Sequence, residues 1–247
     1  MHDDLVPRPG KDVRGLTTNP RLLSAARPEE AQGATPAYWD RRVTEFERRY
    51  EQPGLIDFIL RRDAYLGRSL VLHEAQRLRP CSVLDIGCGP GIVLKELLSG
   101  PAHLGMGIDS SPAMIAAATK RLSTYYAEER CNLELGEFGA YEFGARRFDL
   151  VFALGVFDYV ADPSAFLRSA AQLATGSLIF NVPDMGLFTT LRRLKHRQVQ
   201  IRAFGYGGLK ELCRASGLTR SVVTHTPGAF HVVARVAATA KASRGSD

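Results

Sequence analysis

The sequence contains few of the residues that mark a metal site or a disulfide framework. Among its 247 residues are four cysteines, at positions 81, 88, 131 and 213, and no two of them form a C-x-x-C pair. Neither a zinc site nor a disulfide-stapled fold is therefore indicated. The sequence shows no metal-binding triad either, so we predict a protein that works without a metal.

Long hydrophobic runs are missing as well. No apolar stretch approaches the roughly 18 residues that a membrane-spanning helix needs. The N-terminus, MHDDLVPRPGKDVRG, is polar and rich in proline, unlike a secretory signal peptide. With 45% hydrophobic residues, the chain can nevertheless bury a substantial core in one domain. We expect a cytoplasmic, soluble protein with no membrane partner.

The net charge of the chain is +6, and the segment at 191–202 contains several basic residues and no acidic one. This segment could hold an anionic substrate, a phosphate or a nucleic acid, or it could be a solvated helix face. Nucleic acid is the less favoured partner, because no aromatic residues interleave with the charges. The basic residues of the segment are Arg192, Arg193, Lys195, His196, Arg197 and Arg202.

The stretch VLDIGCGPG, Val83 to Gly91, carries the most information. Its first half is apolar around one carboxylate, which predicts a buried strand, and an apolar helical pattern follows from Ile92 to Leu98. Glycines at 87, 89 and 91 predict a tight turn whose backbone N–H groups can approach a small ligand. A strand, a glycine turn and a helix N-terminus together indicate a binding site for a nucleotide-like molecule.

Two cofactor classes compete for this turn. The dinucleotide fingerprint requires a glycine where this chain has Ile92, and a pyrophosphate would meet the nearby carboxylate of Asp85. An acid beside the turn suits a ligand with positive charge, such as the sulfonium and ammonium of S-adenosylmethionine. The string Asp85–Gly91 resembles motif I of the class I S-adenosylmethionine-dependent methyltransferases, and the chain as a whole resembles their small-molecule type.

A second carboxylate lies at the position where the resemblance predicts an acid that binds the ribose of the cofactor. Asp109 ends the next apolar run, 18 positions after Gly91. An acid at the end of the second parallel strand can bind both ribose hydroxyls. Asp109 could alternatively be a turn or capping residue. Ser111 and Pro112 then read as the N-cap and first residue of a helix.

The resemblance implies further contacts to the cofactor. Glu137 would face the adenine amino group, although this family often has Asp there, and Phe138 would add backbone or ring contact. Backbone carbonyls near Ala153 and Leu154 would receive the methionine ammonium. We interpret Cys88 as a small packing residue within the turn. The predicted cofactor-binding residues are Asp85, Gly87, Cys88, Gly89, Asp109, Ser110, Glu137, Phe138, Ala153 and Leu154.

The order of patterns predicts an α/β fold. We expect a Rossmann-like, doubly wound and mostly parallel seven-stranded sheet, with an N-terminal helical lid. A helix should follow Asp162-Pro163 and end near Leu173. The predicted organisation is a flexible segment at 1–35, one methyltransferase domain at 36–237 with a lid at 36–80 and an insertion at 183–206, and a flexible tail at 238–247.

The acceptor side of the site is less well defined by the sequence. Methyl transfer needs a base only where the acceptor is a hydroxyl or a carbon acid. Asp158 is the nearest catalytic candidate in sequence, although a helix or turn residue that touches only the cofactor side is the favoured interpretation. Tyr159, His196, His225 and His231 are further candidates. The predicted substrate-contacting residues are Tyr38, Tyr50, Phe157, Tyr159 and Arg193.

We therefore predict a methyltransferase that uses S-adenosylmethionine, without a metal, to methylate a small-molecule metabolite by in-line displacement. One alternative is an RNA or protein methyltransferase that docks through the basic segment at 192–202. Another is a non-catalytic partner protein that binds S-adenosylmethionine. The sequence leaves open the acceptor atom, the pathway and the oligomeric state.

Overall fold

The computed structural model describes residues 36–44, 62–195 and 201–236. Several sequence-based expectations fall outside these ranges: the flexible segments at 1–35 and 238–247, and the roles of Tyr50, His196 and Arg197.

Strands of the described residues build one seven-stranded sheet. They are β1 (Ser82–Ile86), β2 (Leu104–Asp109), β3 (Cys131–Leu135), β4 (Phe148–Ala153), β5 (Ala174–Pro183), β6 (Ser221–Thr226) and β7 (Ala229–Arg235). Their order is β3-β2-β1-β4-β5-β7-β6. Strands β1 to β5 are parallel, and β7 is antiparallel to both β5 and β6. The predicted mostly parallel seven-stranded sheet is confirmed.

Helices connect the strands and cover the sheet. Those of the described residues are α1 (Pro36–Asp40), α2 (Arg62–Leu78), α3 (Ile92–Leu98), α4 (Pro112–Arg121), α5 (Ser123–Ala127), α6 (Pro163–Leu173), α7 (Leu187–Lys195) and α8 (Tyr206–Ala215), with a 3-10 turn at Phe138–Ala140. The bounds of α6 confirm the predicted helix. Within the described ranges, no helix is long and apolar enough to cross a membrane.

Both faces of the sheet are buried, which explains why its central strands are apolar on both sides. In β1, Val83 packs in the core formed with α2, α3 and α4, whereas its neighbour Leu84 packs in the core formed with α6 and α8. The chain passes from β3 at the sheet edge to β4 beside β1, so the strand order reverses between β1 and β4. Ligands of such sheets bind beside the carboxyl ends of the strands at this reversal.

The predicted lid and insertion take definite positions. Val71 and Ala75 of α2 are fully buried against the sheet, so this part of the predicted lid belongs to a helical layer. The shorter α1 instead packs on α4, near the carboxyl ends of β1 and β2. The predicted insertion contains α7, and a bridge between Asp184 and Phe204 closes its base.

Candidate functional site

The turn after β1 requires glycine at its first position. Gly87, Gly89 and Gly91 have φ angles of 72°, 52° and 73°, a region that residues with a Cβ rarely adopt. The Gly87 amide donates to the Ile108 carbonyl oxygen at 2.8 Å, which folds the turn back onto β2. A Cβ at position 87 would lie 2.5 Å from Val156 Cγ2, so the loop after β4 packs directly on the bare turn.

The carboxylate of Asp109 joins this turn to the next helix. It accepts hydrogen bonds from the Gly89 amide at 2.8 Å and from the Ser111 amide at 2.9 Å. Burial raises the pKa of Asp109, while these two hydrogen bonds act in the opposite direction. Each carboxylate oxygen can accept a further hydrogen bond, as the predicted ribose contact requires.

The predicted cap of α4 is confirmed. Ser111 Oγ accepts a hydrogen bond from the Met114 amide at 3.1 Å, and Pro112 occupies the first turn of the helix. Ser110 is half-buried between this cap and Asp109. The start of α4 is therefore fixed directly beside the carboxylate that ends β2.

Two more carboxylates lie at this edge of the sheet. Asp85 is 4% exposed, and among the described residues no hydrogen bond reaches its carboxyl group. Burial, and then the charge of Asp109, raises the pKa of Asp85 well above its usual range. Asp40 of α1 accepts hydrogen bonds from Ser111 Oγ at 2.6 Å and from the Ala113 amide at 3.2 Å. Such a group of acids suits a cationic ligand.

Cys88 lies inside the turn as a packing residue. It is buried, and a Cβ at Gly107 would lie 2.9 Å from its Sγ atom. Burial raises the pKa of the Cys88 thiol well above its usual range, which keeps the sulfur neutral. The environment agrees with the expectation that Cys88 fills space and has no redox role.

The predicted adenine contacts follow β3. Glu137 is exposed immediately before the 3-10 turn. The ring of Phe138 lies 4.8 Å from the ring of Phe166 and 5.6 Å from that of Phe143, between ring centroids. The ring packs against the core on this side but is only partly buried, so the predicted backbone or ring contact of Phe138 stays a prediction.

The loop after β4 is held by a buried amide. Asn181 Oδ1 in β5 accepts a hydrogen bond from the Gly155 amide at 2.7 Å. Ala153 is buried at the end of β4, and the half-buried Leu154 packs close to Gly67 of α2. The main chain at 153–154 thus ends beside the glycine turn, where the methionine part of the cofactor was predicted.

Aromatic residues from α1 and from the loop after β4 contact each other. Trp39 and Tyr159 contact each other edge to face, with ring centroids 4.9 Å apart. Tyr38 is buried, and its hydroxyl accepts a hydrogen bond from Arg42. Burial raises the pKa of the Tyr159 hydroxyl, which makes this tyrosine a poor base at neutral pH. Tyr38 and Tyr159 both contact Trp39, a residue that was not predicted from the sequence as part of the site.

Phe157 is not brought to the same surface. Its side chain is fully buried, and its ring lies 4.9 Å from the ring of Phe166 and 5.1 Å from that of Phe180. The structure therefore places Phe157 in the core beneath the loop, although the sequence analysis placed it at the border of the acceptor.

Asp158 is ion-paired inside the protein. The residue is 6% exposed, and its carboxylate accepts a hydrogen bond from Arg192 of α7, which also lies 4.0 Å from Asp63 of α2. Burial raises the pKa of Asp158 to about 6, although the charge of Arg192 acts in the opposite direction. This pairing suits a residue that holds α7 in place better than one that collects a proton from a substrate.

The other described arginines of the basic segment also bind within the protein. Arg193 donates to the carbonyl oxygen of Ile201 at 3.0 and 2.8 Å, and Arg202 donates to that of Ala161 at 3.0 Å. A side chain held in this way is less available to a substrate. Arg193 would have to break its hydrogen bonds to Ile201 before it could make the predicted contact with a substrate.

A pH titration of stability tests the environment of Asp158. Because its pKa rises from 3.8 to about 6 on folding, its stabilising contribution is present below pH 4 and is lost as the pH rises through 6. The unaltered protein should therefore lose unfolding free energy between about pH 4 and pH 6. We expect Asp158→Asn to reduce this loss by at most about 3 kcal/mol, because one pKa unit corresponds to roughly 1.4 kcal/mol. Urea denaturation at a series of pH values measures this. Glu211→Gln, at an exposed acid of α8, should leave the loss in place.

One further polar cluster contains His225, a candidate base from the sequence, together with residues that were not predicted. Asp184, at the end of β5, accepts hydrogen bonds from His225 Nε2 at 2.8 Å, from Thr189 Oγ1 at 3.1 Å and from two backbone amides. These hydrogen bonds lower the pKa of Asp184 against the effect of its burial. The cluster ties the insertion to β6. Its members come from segments that are far apart in sequence, so no local pattern marks it.

Comparison with known proteins agrees with this geometry. A family described as a methyltransferase domain matches residues 83–175, which run from β1 to the start of β5. A ubiquinone biosynthesis O-methyltransferase from Azorhizobium caulinodans is 35% identical over 116 residues, or 46% of this chain and 45% of that protein. An 18S rRNA (guanine-N(7))-methyltransferase from Bos taurus is 34% identical over 110 residues, or 44% of this chain and 35% of that protein. The chain thus spans less than half the length of these two relatives.

A solved structure shows the same fold over most of the chain. Magnesium protoporphyrin IX methyltransferase from Synechocystis PCC 6803, with bound SAH, aligns with a TM-score of 0.61 and 20% identity. The alignment covers 81% of this chain and 96% of that one. The glycine turn, Asp85 and Asp109 all lie within residues 83–175, the part of the chain that is similar to the methyltransferase domain, and the sheet has the fold of the solved methyltransferase.

Proposed function

We propose that this chain transfers the methyl group of S-adenosylmethionine to a hydroxyl oxygen of a small aromatic metabolite. The observation that carries the proposal is the position of α1. This helix lies at the carboxyl end of the parallel strands, with Asp40 bonded to the start of α4 and Trp39 packed on Tyr159. The acceptor would therefore meet an aromatic surface beside the cofactor residues.

The donor side fits S-adenosylmethionine in shape and charge. At Gly87 Val156 takes the space that a Cβ would fill, whereas a Cβ at Gly89 would have only Met114 Sδ within 4 Å, at 3.9 Å, so the main chain at Gly89 can approach a ligand closely. The buried Asp85 has no hydrogen-bond partner among the described residues and carries a raised pKa, which a cationic group nearby would lower again. Asp109 would hold the ribose hydroxyls, and the carbonyl groups at 153–154 would receive the ammonium.

When bound, S-adenosylmethionine supplies an electrophilic methyl group on a sulfonium. The task of the protein is then to align the acceptor oxygen with that carbon and to exclude water. Trp39 and Tyr159 would position an aromatic acceptor by ring contacts, and the Asn181–Gly155 hydrogen bond would fix the loop that carries Tyr159.

The described arginines of the basic segment argue against docking of a polyanion. Arg192 pairs with Asp158, while Arg193 and Arg202 donate to carbonyl oxygens of the chain itself. A nucleic-acid site needs cations that are free to reach phosphates. Similarity to the ubiquinone biosynthesis O-methyltransferase also supports a small acceptor. Similarity to the rRNA methyltransferase makes RNA an alternative acceptor, which has to be tested.

Turnover can be measured by formation of S-adenosylhomocysteine with phenolic and quinol acceptors, and separately with RNA. We expect turnover with small phenols that depends weakly on salt. Turnover with RNA alone, falling steeply with salt, would contradict the proposal. Binding of S-adenosylmethionine without turnover on any acceptor would favour the non-catalytic alternative.

Trp39→Ala tests the aromatic acceptor surface. Loss of a ring contact worth about 0.5–1.5 kcal/mol should raise the KM for a phenolic acceptor by about two- to twelvefold. The Kd for S-adenosylmethionine should stay within about twofold, because Asp40 still bonds to α4. Tyr126→Ala, at an exposed ring of α5, serves as the control. A Kd that rises as much as the KM would place Trp39 in the cofactor site and not in the acceptor site.

A further inference from the structure

Two buried polar side chains lie side by side on the sheet beneath α2. His231 of β7 is 1% exposed, Asn181 of β5 is 9% exposed, and the two residues are directly opposite each other in the antiparallel pair. They share the face of the sheet with Ile179 and Val233, which pack in the apolar core formed with α2. Buried polar groups in folded proteins normally have hydrogen-bond partners, so the bonds of these two residues are informative.

Each of these side chains keeps one nitrogen without a partner among the described residues. His231 Nε2 lies 3.2 Å from Thr226 Oγ1, whereas His231 Nδ1 is buried and makes no hydrogen bond. Asn181 Oδ1 accepts a hydrogen bond from the Gly155 amide at 2.7 Å, and none of the described hydrogen bonds involves its Nδ2. Since a buried nitrogen without a partner costs stability, His231 in particular indicates a ligand atom that completes its bonding.

The ring of His231 offers an acceptor at Nδ1. Thr226 Oγ1 donates to the Ala229 carbonyl oxygen at 3.4 Å, so its lone pairs are free for a hydrogen on His231 Nε2. Burial lowers the pKa of His231 and keeps the ring neutral at neutral pH, although the charge of Asp63 acts in the opposite direction. A neutral ring with its hydrogen on Nε2 accepts at Nδ1, and Asn181 Nδ2 beside it is a donor. A hydroxyl group, which both donates and accepts, fits this pair.

Gly67 of α2 leaves room in front of the unpaired nitrogen. A Cβ at position 67 would lie 3.6 Å from His231 Nδ1 and 3.2 Å from Leu154 Cδ2. The absent side chain therefore leaves an atom-sized gap between α2, His231 and the loop after β4. An oxygen atom in this gap would be within reach of a hydrogen bond to Nδ1.

The place of His231 in the sheet separates it from the reacting atoms. Strands β4, β5 and β7 are consecutive neighbours, so His231 lies two strand spacings, roughly 10 Å, from the end of β4. If the proposed function holds, the methyl group lies near the end of β4. His231 is then too distant to take a proton from the reacting oxygen, but the opposite end of an aromatic acceptor can reach it.

We propose that His231 and Asn181 bind a second hydroxyl group, which the aromatic acceptor carries on the side remote from its reacting oxygen. His231 Nδ1 would accept the hydrogen bond of this hydroxyl, and Asn181 Nδ2 would donate to its oxygen. The inference rests on the proposed function and narrows its substrate class, because aromatic acceptors without the remote hydroxyl would leave both nitrogens unpaired.

Two acceptors that differ in one group test the proposal. The compound para-(hydroxymethyl)phenol carries the second hydroxyl, and para-ethylphenol has a methyl group of similar size in its place. We expect a kcat/KM for the first that exceeds that for the second by about tenfold or more, because a site built for a hydroxyl rejects an analogue that leaves it unpaired. His231→Asn keeps a polar atom near the place of Nδ1 and should retain most of this ratio. His231→Gln keeps one near the place of Nε2 and should lose the ratio.

Gly67→Ala tests the same site without removing a polar group. The new Cβ fills the gap in front of His231 Nδ1, so the ratio of the two kcat/KM values should fall towards one. The urea midpoint should not fall, because alanine favours a helix over glycine and the end of the Leu154 side chain can move aside. His73→Gln, at an exposed histidine of α2, is the control and should change neither quantity.

Two results would overturn the proposal: equal kcat/KM values for the two phenols in the unaltered protein, or a ratio that both His231→Gln and Gly67→Ala leave unchanged. Calorimetry of the two phenols, with the protein loaded with S-adenosylhomocysteine, separates this inference from the proposed function. If neither phenol is methylated but the Kd values show a preference that His231→Gln removes, the hydroxyl site stands and the enzymatic proposal fails. Methylation of both phenols with equal efficiency rejects the hydroxyl site alone, and binding of neither phenol rejects both.

Discussion

Asp109→Ala is expected to weaken binding of S-adenosylmethionine by about tenfold or more. The carboxylate at the end of β2 lies beside the glycine turn and keeps hydrogen-bonding capacity for two ribose hydroxyls. A hydrogen bond to a charged group contributes about 1.5–3 kcal/mol, and 1.4 kcal/mol corresponds to a factor of ten in Kd. Isothermal titration calorimetry measures the change directly.

The same substitution also removes the acceptor for two backbone amides, so fold and affinity must be separated. Asp109→Asn keeps an oxygen that can accept one of those hydrogen bonds but removes the charge. We expect it to unfold at a higher urea concentration than Asp109→Ala while still binding the cofactor more weakly than the unaltered protein. Glu211→Ala, at an exposed acid of α8, is the control for surface charge. Unchanged affinity in Asp109→Ala would reject the ribose role.

The features that the sequence predicts well are local ones. The glycine turn, the Ser111 cap and the Asp162–Pro163 start of α6 each depend on residues within a few positions of one another. Backbone geometry restricts which residues can occupy such positions, so the pattern alone identifies them. The sheet follows because strands and helices alternate and connections between parallel strands have a fixed hand.

The features that the sequence does not predict depend on long-range contacts. Arg192 was assigned to a possible anion site, yet it pairs with Asp158, 34 residues away. Asp40 reaches Ser111 across 71 residues and thereby positions α1. In α7 the apolar spacing is visible in the sequence, but periodicity gives a helix two faces without saying which one is buried. The polar anchors at Asp184 and Asp158 decide that orientation, because burying them unpaired would cost more than exposing the three leucines of this helix.

Gly87→Ala is expected to lower the free energy of unfolding by about 2–5 kcal/mol and to weaken cofactor binding. A left-handed backbone costs a residue with a Cβ about 1–2 kcal/mol, and overpacking of a tight site costs about 1–3 kcal/mol. Both apply here, because φ is 72° and the added Cβ would lie 2.5 Å from Val156 Cγ2. Urea denaturation gives the stability, and calorimetry with S-adenosylmethionine gives the affinity.

A second substitution separates the two causes. Val156→Ala removes the atom that the new Cβ would strike but leaves the backbone angle unchanged. We therefore expect the double variant Gly87→Ala/Val156→Ala to be more stable than the sum of the single effects by about 1 kcal/mol or more. Gly139→Ala adds a Cβ where no atom lies within 4 Å, so its effect should stay within about 0.5 kcal/mol. Strictly additive effects at 87 and 156 would mean that the turn and the loop after β4 do not pack together. The glycine would then be required by its backbone angle alone.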